Sequence, residues 1–434
     1  LTGYLISAAI FTPIFGRLGD MFGKRRLLVI ALSIFAAGST VSALGDSVPA
    51  IVAGRILQGV GGGIFPLCFG IIRDEFPPEK VSASVGLMSA TLGIGGGIGL
   101  VVGGLIVDHA SYHWIFWLGA AMAVMAAAAA LIFVPESPNR VPAKVDYRGA
   151  AVLAVGLSVP MYAISEANNW GWTSTKTIGL ILAGFVVITF WVWLQKRTRE
   201  PLADVSLLAE PRVAMTNTAT LLIGFGMFAS FILIPQLVES PDSTGYGFGF
   251  SATQAGLVML PAALMMLPAG PLSGHLGARF GNRVPLALGG LISGIGLIGL
   301  GLDHGSALSI VLWNVLSSIG VGLAYAAMPN LIMEAVPLER TGEATGFNTL
   351  IRSVGSSLGS QVTASILTGT ILAATGFPTS DGFRTAFLVG AGVSIFAGLL
   401  ALLIPRSGHR HAIFTEEIGA ASVLPEPALA ADER

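Results

Sequence analysis

Thirteen apolar runs, each near the roughly 20 residues that cross a bilayer core, decide what this chain can fold into. They fall at 1–15, 27–45, 49–72, 81–107, 114–134, 149–167, 177–194, 213–237, 252–273, 284–302, 308–333, 343–373 and 383–404. In hydrocarbon each backbone N–H and C=O must be satisfied within its own segment, so such runs fold as helices. The expected fold class is an all-α membrane protein. Composition agrees: 53% of the residues are hydrophobic, 11% are charged, and the mean hydropathy is +0.78. A soluble domain carries about 25% charged residues. The 57 glycines suit helices that approach closely.

The links between runs give the orientation. Alternate links hold Arg17, Lys24, Arg25 and Arg26; Arg73 and Lys80; Arg140, Lys144 and Arg148; Lys196, Arg197, Arg199 and Arg212; Arg279 and Arg283; and Arg340. Arg406 and Arg410 follow the last run, giving eighteen bases on that side against Lys176 and Arg384 on the other. Basic links face the cytoplasm, which places the C-terminus inside and residue 1 outside. Because the bases are confined to short links, the net charge of -1 implies no nucleic-acid partner. The single Cys68 excludes an internal disulfide and reads as a small packing residue.

The most informative link is Gly16-Arg17-Leu18-Gly19-Asp20-Met21-Phe22-Gly23-Lys24-Arg25-Arg26. Its glycines permit a tight hairpin between two helix ends. Asp20, one acid among four bases, points to a specific ion pair or helix-end contact, the alternative being a plain positive-inside link. Gly274 to Arg283 echoes this stretch with Ala278 in place of the acid, as an internal repeat would. The expected organisation is an N-terminal half-bundle at 1–134, two inserted spans with their connectors at 135–212, a C-terminal half-bundle at 213–404, and a polar tail at 405–434.

Three runs contain chemistry. Arg55 lies about 9 Å below the outer face at 1.5 Å per residue, with Gln58 on the same helical face. A membrane arginine costs about 2.5–3.5 kcal/mol on insertion scales, so it is expected to face the bundle interior or to snorkel outwards. Arg352 lies about 15 Å deep, on one face with Asn348, Gly355 and Gly359. It could attract an anionic group, pair with an acid, or cap carbonyls of a facing helix. Gly95, Gly99 and Gly103, with Gly104, make a groove for a neighbouring helix. Asn217, Asn314 and Tyr325 are further cavity candidates, and Met259, Met265 and Met266 supply adaptable apolar surface.

These motifs resemble those of the major facilitator superfamily. Gly16, Asp20, Gly23, Lys24 and Arg25 match its Gly-x-x-x-Asp-(Arg/Lys)-x-Gly-(Arg/Lys)-(Arg/Lys) loop, with Met21 replacing a base. The resemblance implies a conformational latch in which Asp20 engages a neighbouring helix end. Arg55 to Gly61 resembles the family's Arg-x-x-Gln-Gly-x-Gly, whose arginine is implicated in proton coupling. The glycines from Gly95 to Gly104 match the antiporter pattern Gly-x-x-x-Gly-Pro-x-x-Gly-Gly, with Leu100 replacing the proline. Asn169 to Trp172, and Gly346-Phe347-Asn348 through Arg352 to Gly355, are similar to fourteen-span drug:proton antiporters. Relative to that branch the chain is expected to lack a leading helix, which in the branch commonly carries a proton-binding acid; a thirteen-span protein is the alternative.

No Walker loop, Gly-x-Ser-x-Gly or His-Glu-x-x-His occurs in the chain, so an enzyme or an ATP-driven pump is not expected. The resemblance implies two halves rocking about a midplane cavity and proton-coupled export of hydrophobic or amphipathic small molecules. An uptake symporter or facilitator of the same fold is the alternative, and a non-transporting sensor or truncated remnant is the reading from another class. Expected partners are a small-molecule substrate, protons and the lipid bilayer, with no metal or organic cofactor and a monomeric carrier. The short links and high alanine and glycine content suggest a bacterial inner membrane.

Overall fold

The computed structural model describes residues 2–137, 146–372 and 376–405. Thirteen long helices account for the thirteen apolar runs: α1 (Thr2–Phe22), α2 (Lys24–Leu44), α3 (Val48–Glu75), α4 (Pro78–His109), α5 (His113–Phe133), α6 (Tyr147–Trp170), α7 (Thr175–Arg197), α8 (Pro211–Glu239), α9 (Ala252–Phe280), α10 (Arg283–Leu302), α11 (Ala307–Ala335), α12 (Thr341–Thr368) and α13 (Ser380–Leu402). Eleven of them are long and apolar enough to cross a membrane by length and composition. The other two are α1 and α12; α12 is rich in Ser, Thr and Gly, and much of it is buried. The expected all-α membrane fold is the observed one.

Local chemistry sets the helix ends. Ser47 caps α3 by accepting the Ala50 N–H, with Pro49 in the first turn, and Asp146 and Ser174 cap α6 and α7. Ser251 and Gln254 form a reciprocal capping box at the start of α9, satisfying donors that the first turn leaves without partners. Two details differ from the runs. A 3-10 turn at Val60–Gly63 interrupts α3 within the glycine run. The run 343–373 stops being helical at Thr368, after which Ile371 bridges to Pro378. Of the tail, only Pro405 is among the described residues; Arg140, Lys144, Arg406 and Arg410 lie outside them.

Residues 1–404 form one compact unit. Helices α1 to α3 and α5 pack in one group, with α2 against both α3 and α5. Helices α8 to α13 pack in a second, where α10 lies between α11 and α13. Helix α4 lies chiefly along α9 of the second group and the two groups meet along α1–α12, while α6 and α7 pack chiefly on each other and α6 touches both α1 and α12. Leu182, Phe185, Val186 and Phe190 leave one face of α7 exposed, as a lipid-facing helix requires. The end of the bundle that holds the link from Phe22 to Lys24 is called the basic end below.

Candidate functional site

The helix break at Gly23, where φ is 106°, turns the chain from α1 into α2 and leaves Asp20 one turn before Lys24. Only glycine holds that backbone without strain. Asp20 points at the first turn of α12, where its two carboxylate oxygens accept the N–H groups of Gly342 at 3.3 Å and Glu343 at 3.0 Å. A helix N-terminus presents unpaired N–H groups and partial positive charge, so a carboxylate is its natural partner. The approach depends on two facing glycines: a Cβ on Gly16 would land on the carbonyl oxygen of Gly342.

Charged side chains complete this seam. Arg17 pairs with Glu343 at 3.3 Å, joining α1 to α12. Lys24 is almost fully buried, 2.6 Å from Asp74 at the end of α3 and 3.6 Å from Asp20. Ser137 also donates to Asp74. Arg25 donates to the Val134 carbonyl at 3.2 Å and lies beside Glu136. Arg73 reaches from α3 to the Thr341 hydroxyl at 2.5 Å and the Val336 carbonyl at 3.0 Å. Burying charges is costly unless each is paired and hydrogen-bonded. Asp20, Arg17 and Arg73 take partners from the second helix group, whereas those of Lys24 and Arg25 lie within the first.

The second copy of the link is built differently. Ala278 occupies the position of the acid, and Asn282 donates to Glu334 at the end of α11 at 2.5 Å. Arg212 pairs with the same carboxylate. Glu334 thus stands to α10 and α11 as Asp74 stands to α2 and α3. Both of these contacts lie within one helix group, so this copy braces and does not bridge.

The intramembrane candidates form three separate clusters. Arg55 donates to the Gln58 side chain at 3.2 Å and lies 5.2 Å from the Phe116 ring, while Gln58 donates to Ser39 at 2.7 Å. Asn348 on α12 donates to Asn217 at 2.9 Å and to Thr220 at 2.8 Å, both on α8. One turn further on, the Arg352 guanidinium lies 4.6 Å from the Tyr325 ring, a cation–π contact that accommodates a buried cation.

Asn314 belongs to a narrow cleft, about 20 Å³ in volume, among α4, α8, α9 and α11. Its walls include Leu100, Met227, Phe231, Met259 and Met266. Met265 is exposed and does not line it. Two buried polar atoms in the cleft have no hydrogen-bond partner, Nδ2 of Asn314 and Oγ of Ser230. Each is a donor that an oxygen acceptor on a bound molecule would satisfy, in a setting where leaving it unpaired costs about 1–3 kcal/mol.

Helix α4 carries two glycine faces. Gly97 and Gly104 lie against Ala263 and Ala252 of α9. A Cβ at Gly95, Gly99 or Gly103 would meet nothing within 4 Å among the described residues. The groove seated on α9 is therefore the Gly97–Gly104 face.

Sequence reasoning passed over Arg17, Arg73, Asp74, Asp204 and Glu343 as site residues. Arg17 and Glu343 are 326 positions apart, and nothing local marks such a pair. Asp74 and Arg73 had one available signal, adjacent opposite charges at the end of an apolar run.

The family described as Major Facilitator Superfamily matches residues 1–360 and 216–430. Multidrug resistance protein Stp of Mycobacterium tuberculosis is 29% identical over 370 residues, covering 85% of this chain and 68% of that protein. The tetracenomycin C resistance and export protein of Streptomyces glaucescens is 28% identical over 364 residues, covering 83% and 66%. Multidrug resistance protein 3 of Bacillus subtilis is 25% identical over 369 residues, covering 84% and 71%. The chain thus spans about two thirds of the length of these relatives. Among solved structures, the human organic anion transporter MFSD10 (TETRAN) superposes with a TM-score of 0.64 at 19% identity, covering 92% of this chain and 82% of that one. The proton:xylose symporter XylE superposes at 0.62 with 16% identity, covering 93% and 85%. At these identities the superpositions establish the fold.

Proposed function

Because this chain belongs to the Major Facilitator Superfamily, and is a multi-pass membrane transporter and not an enzyme, we propose that it exports apolar small molecules in exchange for protons. The observation that carries the substrate class is the cleft at Asn314: methionine and phenylalanine walls around two unpaired donors. Unbranched methionines adapt to several shapes, and a few polar groups in an apolar pocket fix orientation. The names of the relatives, two multidrug resistance proteins and one resistance and export protein, support the same reading.

Alternating access supplies the mechanism, with the basic end on the cytoplasmic side of a bacterial inner membrane. The Asp20–α12 contact holds that side shut, and its release opens the cleft to the cytoplasm. Arg55, fixed by Gln58 and Phe116, sets the field around a proton site. Arg352 with Tyr325, and Asn348 with Asn217, hold α12 against α11 and α8. The C-terminal tail lies in the cytoplasm and the carrier works as a monomer.

Counterflow tests the carrier reading. Proteoliposomes loaded with unlabelled tetraphenylphosphonium or anthraquinone are diluted into a trace of labelled compound. A transient overshoot of label is expected with one of the two. Passive equilibration without overshoot for both would overturn exchange through a carrier.

A further inference from the structure

The inserted helices α6 and α7 are linked to the gate by a continuous run of hydrogen bonds. Gln195, in the last turn of α7, donates to Asp146 at the start of α6 at 2.7 Å and accepts the Ala203 N–H at 3.1 Å. The next residue, Asp204, donates its own N–H to Oε1 of Glu343 at 2.6 Å. The other oxygen of Glu343 faces Arg17 of α1. Asp204 divides its carboxylate: Oδ1 caps the single turn Val205–Leu208, and Oδ2 pairs with Arg340 beside the start of α12. Burial opposes the charge of Asp204, but hydrogen bonds from Ser206 and Arg340 outweigh it and hold the carboxyl below its ordinary range. Trp191 of α7 also packs its ring 5.8 Å from that of Phe347 in α12.

We infer that Gln195 and Asp204 are positioning residues for the gate, and that the connector after the inserted pair sets how firmly the basic end closes. The inference rests on the alternating-access reading above. Glu343 is about 1% exposed in the closed seam. With water excluded, one of its oxygens has Arg17 and the other has the connector N–H. When the seam opens, water can replace that N–H. Losing it therefore costs free energy in the closed state alone, and only a difference between states shifts their populations. A pair of helices outside the two rocking groups thereby tunes the conformational equilibrium without touching the substrate.

Asp204 has φ of −76°, which proline accepts. Asp204→Pro therefore removes the N–H, whereas Asp204→Ala removes only the side chain. Spin labels at Glu79→Cys and Leu338→Cys, both exposed positions, report the width of the basic end in the full-length protein with Cys68→Ser, reconstituted in lipid. The open-to-closed ratio is expected to be about tenfold higher for Asp204→Pro than for Asp204→Ala, as for a lost hydrogen bond to a charged group. Glu343→Gln should shrink that difference, and the swap Asp204→Arg with Arg340→Asp should recover closure lost in either single change. Asp20→Asn is the control for the latch. If Asp20→Asn opens the seam while Asp204→Pro and Asp204→Ala give equal ratios, the connector has no positioning role and the latch stands. If no variant, Asp20→Asn included, changes the distance, the alternating-access reading falls and the inference with it.

Discussion

The carboxylate of Asp20 lies 3.0 Å from the backbone nitrogen of Glu343, joining α1 to the first turn of α12 across 323 residues. The contact places a carboxylate on a helix N-terminus, and both partners are buried. Gly16 and Gly342 face each other beside it, and Lys24 links it to Asp74.

Asp20→Asn keeps the size of the side chain but removes its charge and replaces one of its two acceptor oxygens by an amide donor. Hydrogen bonds to charged groups contribute about 1.5–3 kcal/mol, so closure of the basic end should weaken by tenfold or more. Accessibility of a cysteine placed at the buried Thr345, one turn further along α12, in a Cys68→Ser background, to a membrane-impermeant maleimide added from the basic side checks this. Unchanged labelling would show that the charge does not hold the seam.

The two glycine faces of α4 make opposite predictions for the same chemical change. Gly97→Ala would drive a methyl group into Ala263, and overpacking of that kind costs about 1–3 kcal/mol. Gly99→Ala meets nothing within 4 Å among the described residues and replaces a poor helix former with the best one. Thermal unfolding of the purified variants should show a lowered Tm for the first and an unchanged or raised Tm for the second.

Asn314→Leu removes an unpaired donor from the cleft and leaves its walls apolar. A site built to hydrogen-bond a substrate oxygen discriminates against molecules lacking it, because its own buried polar group is then left unpaired. Carbonyl-bearing aromatics should lose about tenfold or more in affinity, and hydrocarbon-like cations should keep or gain affinity. Competition binding with matched ketone and alkane pairs measures the ratio. Equal losses for both members would remove Asn314 from substrate contact.

Arg55→Ala leaves Gln58 hydrogen-bonded to Ser39 and removes the cation beside Phe116. Substrate binding should persist while proton movement linked to transport is lost. Binding measured by tryptophan quenching, set beside proton flux in the same preparation, separates these effects. Loss of both together would mark Arg55 as a structural residue.

The fold was legible because thirteen apolar runs have one physical solution in a membrane. Asp20 was legible for a local reason: it is a lone acid in a basic glycine hinge, and its target is the backbone of a helix end, which any sequence supplies. Arg17–Glu343 was not, since an ion pair made across the seam leaves no spacing in the chain. The glycines of α4 failed to reveal their packing face because Gly95, Gly99 and Gly103 share one face while Gly97 and Gly104 share another, and both are rich in glycine. The 3-10 turn at Val60–Gly63 was hidden within a run of uniform hydropathy. Asn217 and Asn348 look like free cavity groups in sequence, yet they hydrogen-bond each other, which only the pairing of α8 with α12 could disclose.

Proton movement on substrate addition tests the central claim most directly. Inside-out vesicles containing the full-length protein are given an acid interior, a panel of lipophilic cations and neutral aromatics is added outside, and the interior pH is followed. Proton-coupled export predicts that the interior becomes more alkaline on adding a transported compound, with Arg55→Ala abolishing the response. Accumulation of compound with no change in interior pH would contradict proton exchange and leave a facilitator.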